Sequence, residues 1–99
     1  MKTLDNIEQT QKGKVVIVFS SDWCSDCIVL KQYIDQVVEK YCDWNFYYAE
    51  RDKYIDLAKF YNVYGIPSFV ALQDGEFKLD FISKETKSFE EVCEFMEKL

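Results

Sequence analysis

KVVIVFSSDWCSDC, Lys14 to Cys27, is the stretch that decides the fold. From Val15 to Phe19 it is apolar throughout, without the alternation of a strand that shows one face to water. Such a run fits a central strand covered on both faces, the habit of α/β sheets. From about Ser25 the period becomes helical. Leu30, Tyr33, Ile34, Val37, Val38 and Tyr41 fall on one stripe, which predicts one amphipathic helix. Between strand and helix lies Trp23-Cys24-Ser25-Asp26-Cys27. A thiol at a helix N-terminus meets unpaired amides and the helix dipole, which together favour its thiolate. Cys24 holds that position. Cys27 lies one turn further in, close enough for a disulfide and less exposed.

Downstream, Trp44 to Glu50 (WNFYYAE) reads as a second buried strand. Tyr54, Leu57, Ala58 and Tyr61 repeat the helical stripe and stop before Gly65. Gly65-Ile66-Pro67, with the only proline of the chain, leads into SFVALQ, the pair Asp74-Gly75 and EFKLDFI. Asp-Gly between two strand-like runs predicts a hairpin. Its second arm puts Phe77, Leu79 and Phe81 on the core side and Glu76, Lys78 and Asp80 in water. Ser88-Phe89-Glu90-Glu91 fits a capping box, followed by a stripe of Val92, Phe95, Met96 and Leu99. At the other end, Thr3 is expected to cap a short helix with Leu4 and Ile7 inward, ending near Lys12-Gly13. The expected class is α/β: one domain over residues 1–99, with a mixed four-stranded sheet and helices on both faces.

Composition narrows the chemistry. With 48% apolar and 17% aromatic residues in 99, the chain can bury a core without staples. A net charge of −6 argues against nucleic acid or an anionic membrane as partner. No apolar leader precedes the first strand, and VVIVF is far too short to span a bilayer, so a cytoplasmic chain is expected. Four cysteines without an export signal point to a reducing compartment. There is no histidine and no second CxxC, which argues against zinc, and no metal is expected. A structural Cys24–Cys27 disulfide is the blander alternative to a redox pair. Cys42 and Cys93 are expected to be plain buried thiols, with a surface, oxidisable Cys42 as the alternative.

Together these placements resemble the thioredoxin family. The resemblance rests on Trp23-Cys24…Cys27 after a central strand, Gly65-Ile66-Pro67 before an antiparallel strand, and Asp74-Gly75 beyond. It covers nearly the whole chain in element order. It implies a thioredoxin fold and a thiol–disulfide oxidoreductase, acting as a reductase on protein or small-molecule disulfides. Cys24 would be the nucleophile, forming a mixed disulfide, and Cys27 the resolving thiol. Pro67 would be cis and lie against the attacking sulfur, with the Ile66 backbone, Trp23 and Tyr64 forming the docking surface. No bound cofactor is implied beyond the redox-active pair. Electrons would come from a flavoprotein reductase, and a monomer is expected. The alternative is a thioredoxin-like module that senses redox state or holds a partner without efficient turnover.

Departures from the family's pattern are equally specific. Ser25-Asp26 stands where Gly-Pro is common between the cysteines. Val18 occupies the place of a buried Asp, Tyr48 that of its Lys partner, and Ser83 that of a Gly after the hairpin. The N-terminus is expected to be too short for the family's extra edge strand. Asp26 is then the first candidate for a base or tuner near Cys27, with Asp22 and Glu50 behind it. The plainer reading of Asp26 is a first-turn acid that favours the helix dipole. The charges of Asp22 and Asp26 would oppose the Cys24 thiolate and disfavour acidic targets.

Overall fold

The computed structural model describes residues 1–99. In chain order the elements are β1 (Lys2–Thr3), a 3-10 turn (Ile7–Thr10), β2 (Lys14–Ser20), α1 (Ser25–Lys31), α2 (Ile34–Lys40) and β3 (Asn45–Glu50). They continue with α3 (Ile55–Phe60), β4 (Ser68–Gln73), β5 (Glu76–Phe81) and α4 (Phe89–Glu97). The sheet order is β1-β3-β2-β4-β5, parallel among β1, β3 and β2 and antiparallel among β2, β4 and β5. The apolar run of β2 is central, as its lack of alternation requires. Val16 and Val18 face a layer that includes Leu30, Ile34, Val37, Val92, Phe95 and Met96. Val15, Ile17 and Phe19 face the opposite layer, with Leu4, Tyr47, Ala49, Ala58, Val70 and Leu72. Each fully buried side chain of this size contributes about 1.5–3 kcal/mol.

Several expectations are corrected. The sheet has five strands, because Lys2 and Thr3 pair with Tyr47 and Tyr48 on the free edge of β3. Leu4 explains the pairing. It is fully buried, its amide donates to the Tyr48 carbonyl at 2.7 Å, and its own carbonyl accepts from the Tyr54 hydroxyl. Burying one leucine therefore draws the N-terminus along the sheet, and Thr3 caps nothing. The cap of the following turn is Asn6, in a capping box with Gln9, and Ile7 points outward.

The stripe from Leu30 to Tyr41 belongs to two helices rather than one. At the junction, Gln32 donates to the Val29 carbonyl and Tyr33 to the Leu30 carbonyl, tighter bonds than the α-helical ladder. The Tyr33 hydroxyl donates to the Lys87 carbonyl at 2.6 Å, and its ring meets Phe89 edge-on. The bend is thus tied to the approach to α4.

The hairpin forms where Asp-Gly predicts it, with Asp74 at φ 51° and Gly75 at φ 83°. Its tip docks on Gly13, whose amide donates to the Asp74 carboxylate and whose carbonyl accepts from the Asp74 amide. The second arm does not alternate throughout. Ala71 faces Leu79, but Leu72 faces Phe77, so one extra residue is accommodated and the facing of the strand flips. Phe77, opposite Leu72, consequently lies 52% exposed. Leu99 lies beyond the end of α4 and is also exposed. Ser88 and Glu91 do form the capping box.

Candidate redox site

Cys24 is the N-cap of α1, with extended backbone (φ −92°, ψ 122°). Its carbonyl accepts from the amides of Cys27 and Ile28 at 3.1 Å, opening the helix, while its side chain caps nothing. The half-buried thiol instead reaches across to the loop before β4, where its Sγ donates to the Ile66 carbonyl at 3.9 Å. The Ile66–Pro67 peptide is cis and Pro67 is buried. Gly65 lets this loop close. A Cβ there would stand 2.6 Å from the Ser83 carbonyl oxygen and 2.8 Å from the Lys84 Cα. The Ser68 hydroxyl fastens the same loop by donating to the Gly65 carbonyl at 2.6 Å.

Cys27 differs sharply from Cys24, being fully buried at the first turn of α1. Burial, reinforced by a hydrogen bond with the Cys24 thiol, pushes its pKa up to about 11. The Ser20 hydroxyl and the Ser21 backbone act in the opposite direction. All four cysteines are free thiols. An accessible sulfur and a buried one therefore sit together, as an attacking and a resolving thiol would need. Cys93 is buried as expected, whereas Cys42 is exposed after α2 and corrects the expectation of a buried thiol.

Of the expected docking residues, Trp23 and Tyr64 are about two-thirds exposed. The Trp23 indole donates to Asp52 at 3.2 Å and the Tyr64 hydroxyl to the Ile82 carbonyl at 3.2 Å. Exposed Ile28 and Val29 on α1 add apolar surface next to the motif. The largest cavity, lined in part by Lys14, Tyr41, Trp44 and Glu97, is at the other end of β2, and neither thiol lines any cavity. Of the two thiols only Cys24 is partly exposed, and it lies outside every cavity.

The three candidate acids are each engaged elsewhere. Asp26 accepts a hydrogen bond from the Thr86 hydroxyl in the loop before α4. Asp22 is exposed and pairs with Lys31 at 2.5 Å. Glu50 accepts from the amides of Asp52 and Lys53. Other polar groups are buried in the same region. Lys87 is only 1% exposed. Its ammonium donates to the Ser83 carbonyl and hydroxyl and to the Glu85 carbonyl, and lies 5.1 Å from the Phe81 ring centre. Burial lowers its pKa, while the charges of Glu91, Asp26, Cys27 and Glu85 partly restore it. The Ser20 and Tyr48 hydroxyl oxygens are buried without a hydrogen-bond partner. Strand alternation from Val18 would have placed Ser20 on the motif's side of the sheet. Nothing local marks Lys87, since lysines are seldom buried.

No group of three or more His, Cys, Asp or Glu side chains converges in a metal-binding arrangement. No helix is long and apolar enough to cross a membrane.

Comparison with known proteins agrees with this geometry. The thioredoxin family model matches residues 2–98. A thioredoxin of Mycoplasmoides gallisepticum is 31% identical over 84 residues, covering 82% of this chain and 83% of that protein. An H-type thioredoxin of Fagopyrum esculentum is 34% identical over 74 residues, covering 70% of this chain and 64% of its own length. Among solved structures, oxidised mitochondrial thioredoxin 3 of Saccharomyces cerevisiae superposes with a TM-score of 0.82 at 24% identity. That likeness covers 100% of this chain and 95% of the yeast chain.

Proposed function

Because the chain belongs to the thioredoxin family, we propose that it is a thiol–disulfide oxidoreductase that turns over as a reductase of disulfides in other proteins. The observation that carries this reading is the pairing of a half-exposed Cys24, held against the Ile66 carbonyl, with a buried Cys27 one turn away. In the first step the Cys24 thiolate attacks one sulfur of the target disulfide, and the other target sulfur leaves as a thiolate. In the second, Cys27 attacks Cys24, the Cys24–Cys27 bond forms and the remaining target sulfur is released. The target gains two electrons and the pair loses them.

The site residues follow from position. Trp23, Tyr64 and the backbone of Ile66, with Pro67 behind it, form the surface on which an extended target segment lies. The setting of Cys24, partly exposed and outside any cavity, favours a protein target over a small molecule enclosed in a pocket. Asp26 tunes the site at one remove, by holding Thr86 and the loop that carries Lys87. A flavoprotein reductase returns the pair to the dithiol. The chain works as one monomeric domain over residues 1–99 in the cytoplasm, a reducing setting that keeps its thiols available.

Reduction of a protein disulfide by dithiothreitol, with the chain present at about one-hundredth of the substrate, tests the reading. The rate rises in proportion to the chain over many turnovers. A single stoichiometric equivalent would identify a binding or sensing module instead. Cys27→Ser accumulates mixed disulfides on Cys24, visible by mass spectrometry. A Cys24 that stays freely alkylated in that variant would overturn the mechanism.

A further inference from the structure

Resolving the mixed disulfide requires charge to develop on the Cys27 sulfur, which is fully buried and reluctant to ionise. The nearby carboxylates are occupied: Asp26 by Thr86, Asp22 by Lys31, and Glu50 by the amides of Asp52 and Lys53. Two buried side-chain oxygens have no partner, Ser20 Oγ and Tyr48 Oη. Both belong to the sheet face under α1. Ser20 alternates with Val16 and Val18 along β2, and Tyr48 stands opposite Val18 in β3, on the side of Phe46. That is the layer in which Leu30 of α1 is packed. The Ser20 hydroxyl favours the Cys27 thiolate, and the Tyr48 pKa is raised by burial first, then by the charges of Asp22 and Glu50, and least by Cys27. Buried hydroxyls without partners are rare because desolvation leaves them uncompensated. Two of them on the sheet face that α1 covers stand ready for a charge that exists only during reaction.

We propose that Ser20 and Tyr48 hold the Cys27 thiolate during resolution, donating their hydroxyl hydrogens to its sulfur until that sulfur bonds to Cys24. The inference rests on the proposed exchange reaction. In the step concerned, the Cys24–target bond breaks with its electron pair leaving on the target sulfur, and the Cys24–Cys27 bond forms. The proton given up by Cys27 ends on the released target thiol. Donors that strengthen as charge develops lower the barrier more than they stabilise the resting thiol. The charged and titratable groups around the pair come from the start of α1, the end of β3 and the approach to α4. Asp22 precedes α1, Cys24 and Asp26 begin it, Glu50 ends β3, and Lys87 precedes α4. Asp22 and Glu50 raise the Tyr48 pKa, and the buried Lys87 ammonium attracts a Cys27 thiolate.

The test loads Cys24 of the full chain with thionitrobenzoate and follows release of the chromophore by Cys27, in stopped flow across pH. Ser20→Ala with Tyr48→Phe slows release at pH 7 about tenfold and moves the midpoint of the rate profile up by about one unit, as loss of thiolate stabilisation requires. Each single variant gives part of that shift. Loading of Cys24 keeps its rate. Tyr48→Phe alone melts no lower than the unaltered chain, because its hydroxyl has no bond to lose. Release profiles that superimpose on the unaltered chain would overturn the proposal, as would a lower melting temperature for Tyr48→Phe. Absence of release from the unaltered chain would instead refute the exchange reaction itself.

Discussion

Gly65 shows how a residue can be conspicuous in sequence while its reason is long-range. Gly-Ile-Pro stands out because glycine and proline are scarce here, yet the backbone at Gly65 needs no unusual φ. The requirement is contact. Ser83 and Lys84 approach so closely that a methyl group would meet backbone atoms, which do not yield as a flexible side chain would. Gly65→Ala is therefore expected to lower stability by about 1–3 kcal/mol in urea unfolding, the usual range for overpacking. It also disturbs the loop that holds the Ile66 carbonyl against Cys24, so target reduction slows in the folded variant. Lys87 is the converse case. It is unremarkable in sequence, but its ammonium is satisfied only by the carbonyls and hydroxyl of the loop preceding it.

At the scale of elements, local signals were sound wherever the determinant was local. The capping box at Ser88, the Asp74-Gly75 turn and the covered strand β2 all lie where spacing and composition put them. Ser88→Ala removes the acceptor for the Glu91 amide. It costs about 1 kcal/mol, measured as a lower urea midpoint with an unchanged slope. Elements failed to follow the local pattern where a distant group intervened. One helical stripe became α1 and α2 because Tyr33 is held by the Lys87 carbonyl, a bond no periodicity encodes. The alternation of β5 broke at a register shift against β4, which left Phe77 in water although its own strand pattern pointed inward.

Across the whole molecule, the buried thiol couples redox chemistry to stability. The folded chain holds the Cys27 proton to about 11, against the ordinary thiol value of 9.0. The unfolded chain gives that proton up first, so this contribution is complete below pH 9 and is lost as pH rises through about 11. Urea unfolding of the dithiol form should therefore show a steeper loss of stability from pH 8.5 to 10.5 than unfolding of Cys27→Ala. Equal slopes in the two chains would contradict the shift, because the tyrosines that also titrate there are common to both. The sequence by itself determined the order of strands after Gly13, the hairpin turn, and the placing of two thiols at a strand-to-helix junction. These depend on side-chain periodicity and on backbone groups a few residues apart. Tertiary structure alone decided the fifth strand, the bend between α1 and α2, the burial of Lys87, and the two unpartnered hydroxyls on the sheet face under α1. Each of these is set by contacts between segments far apart in the chain, where burial, desolvation and pairing outweigh local preference.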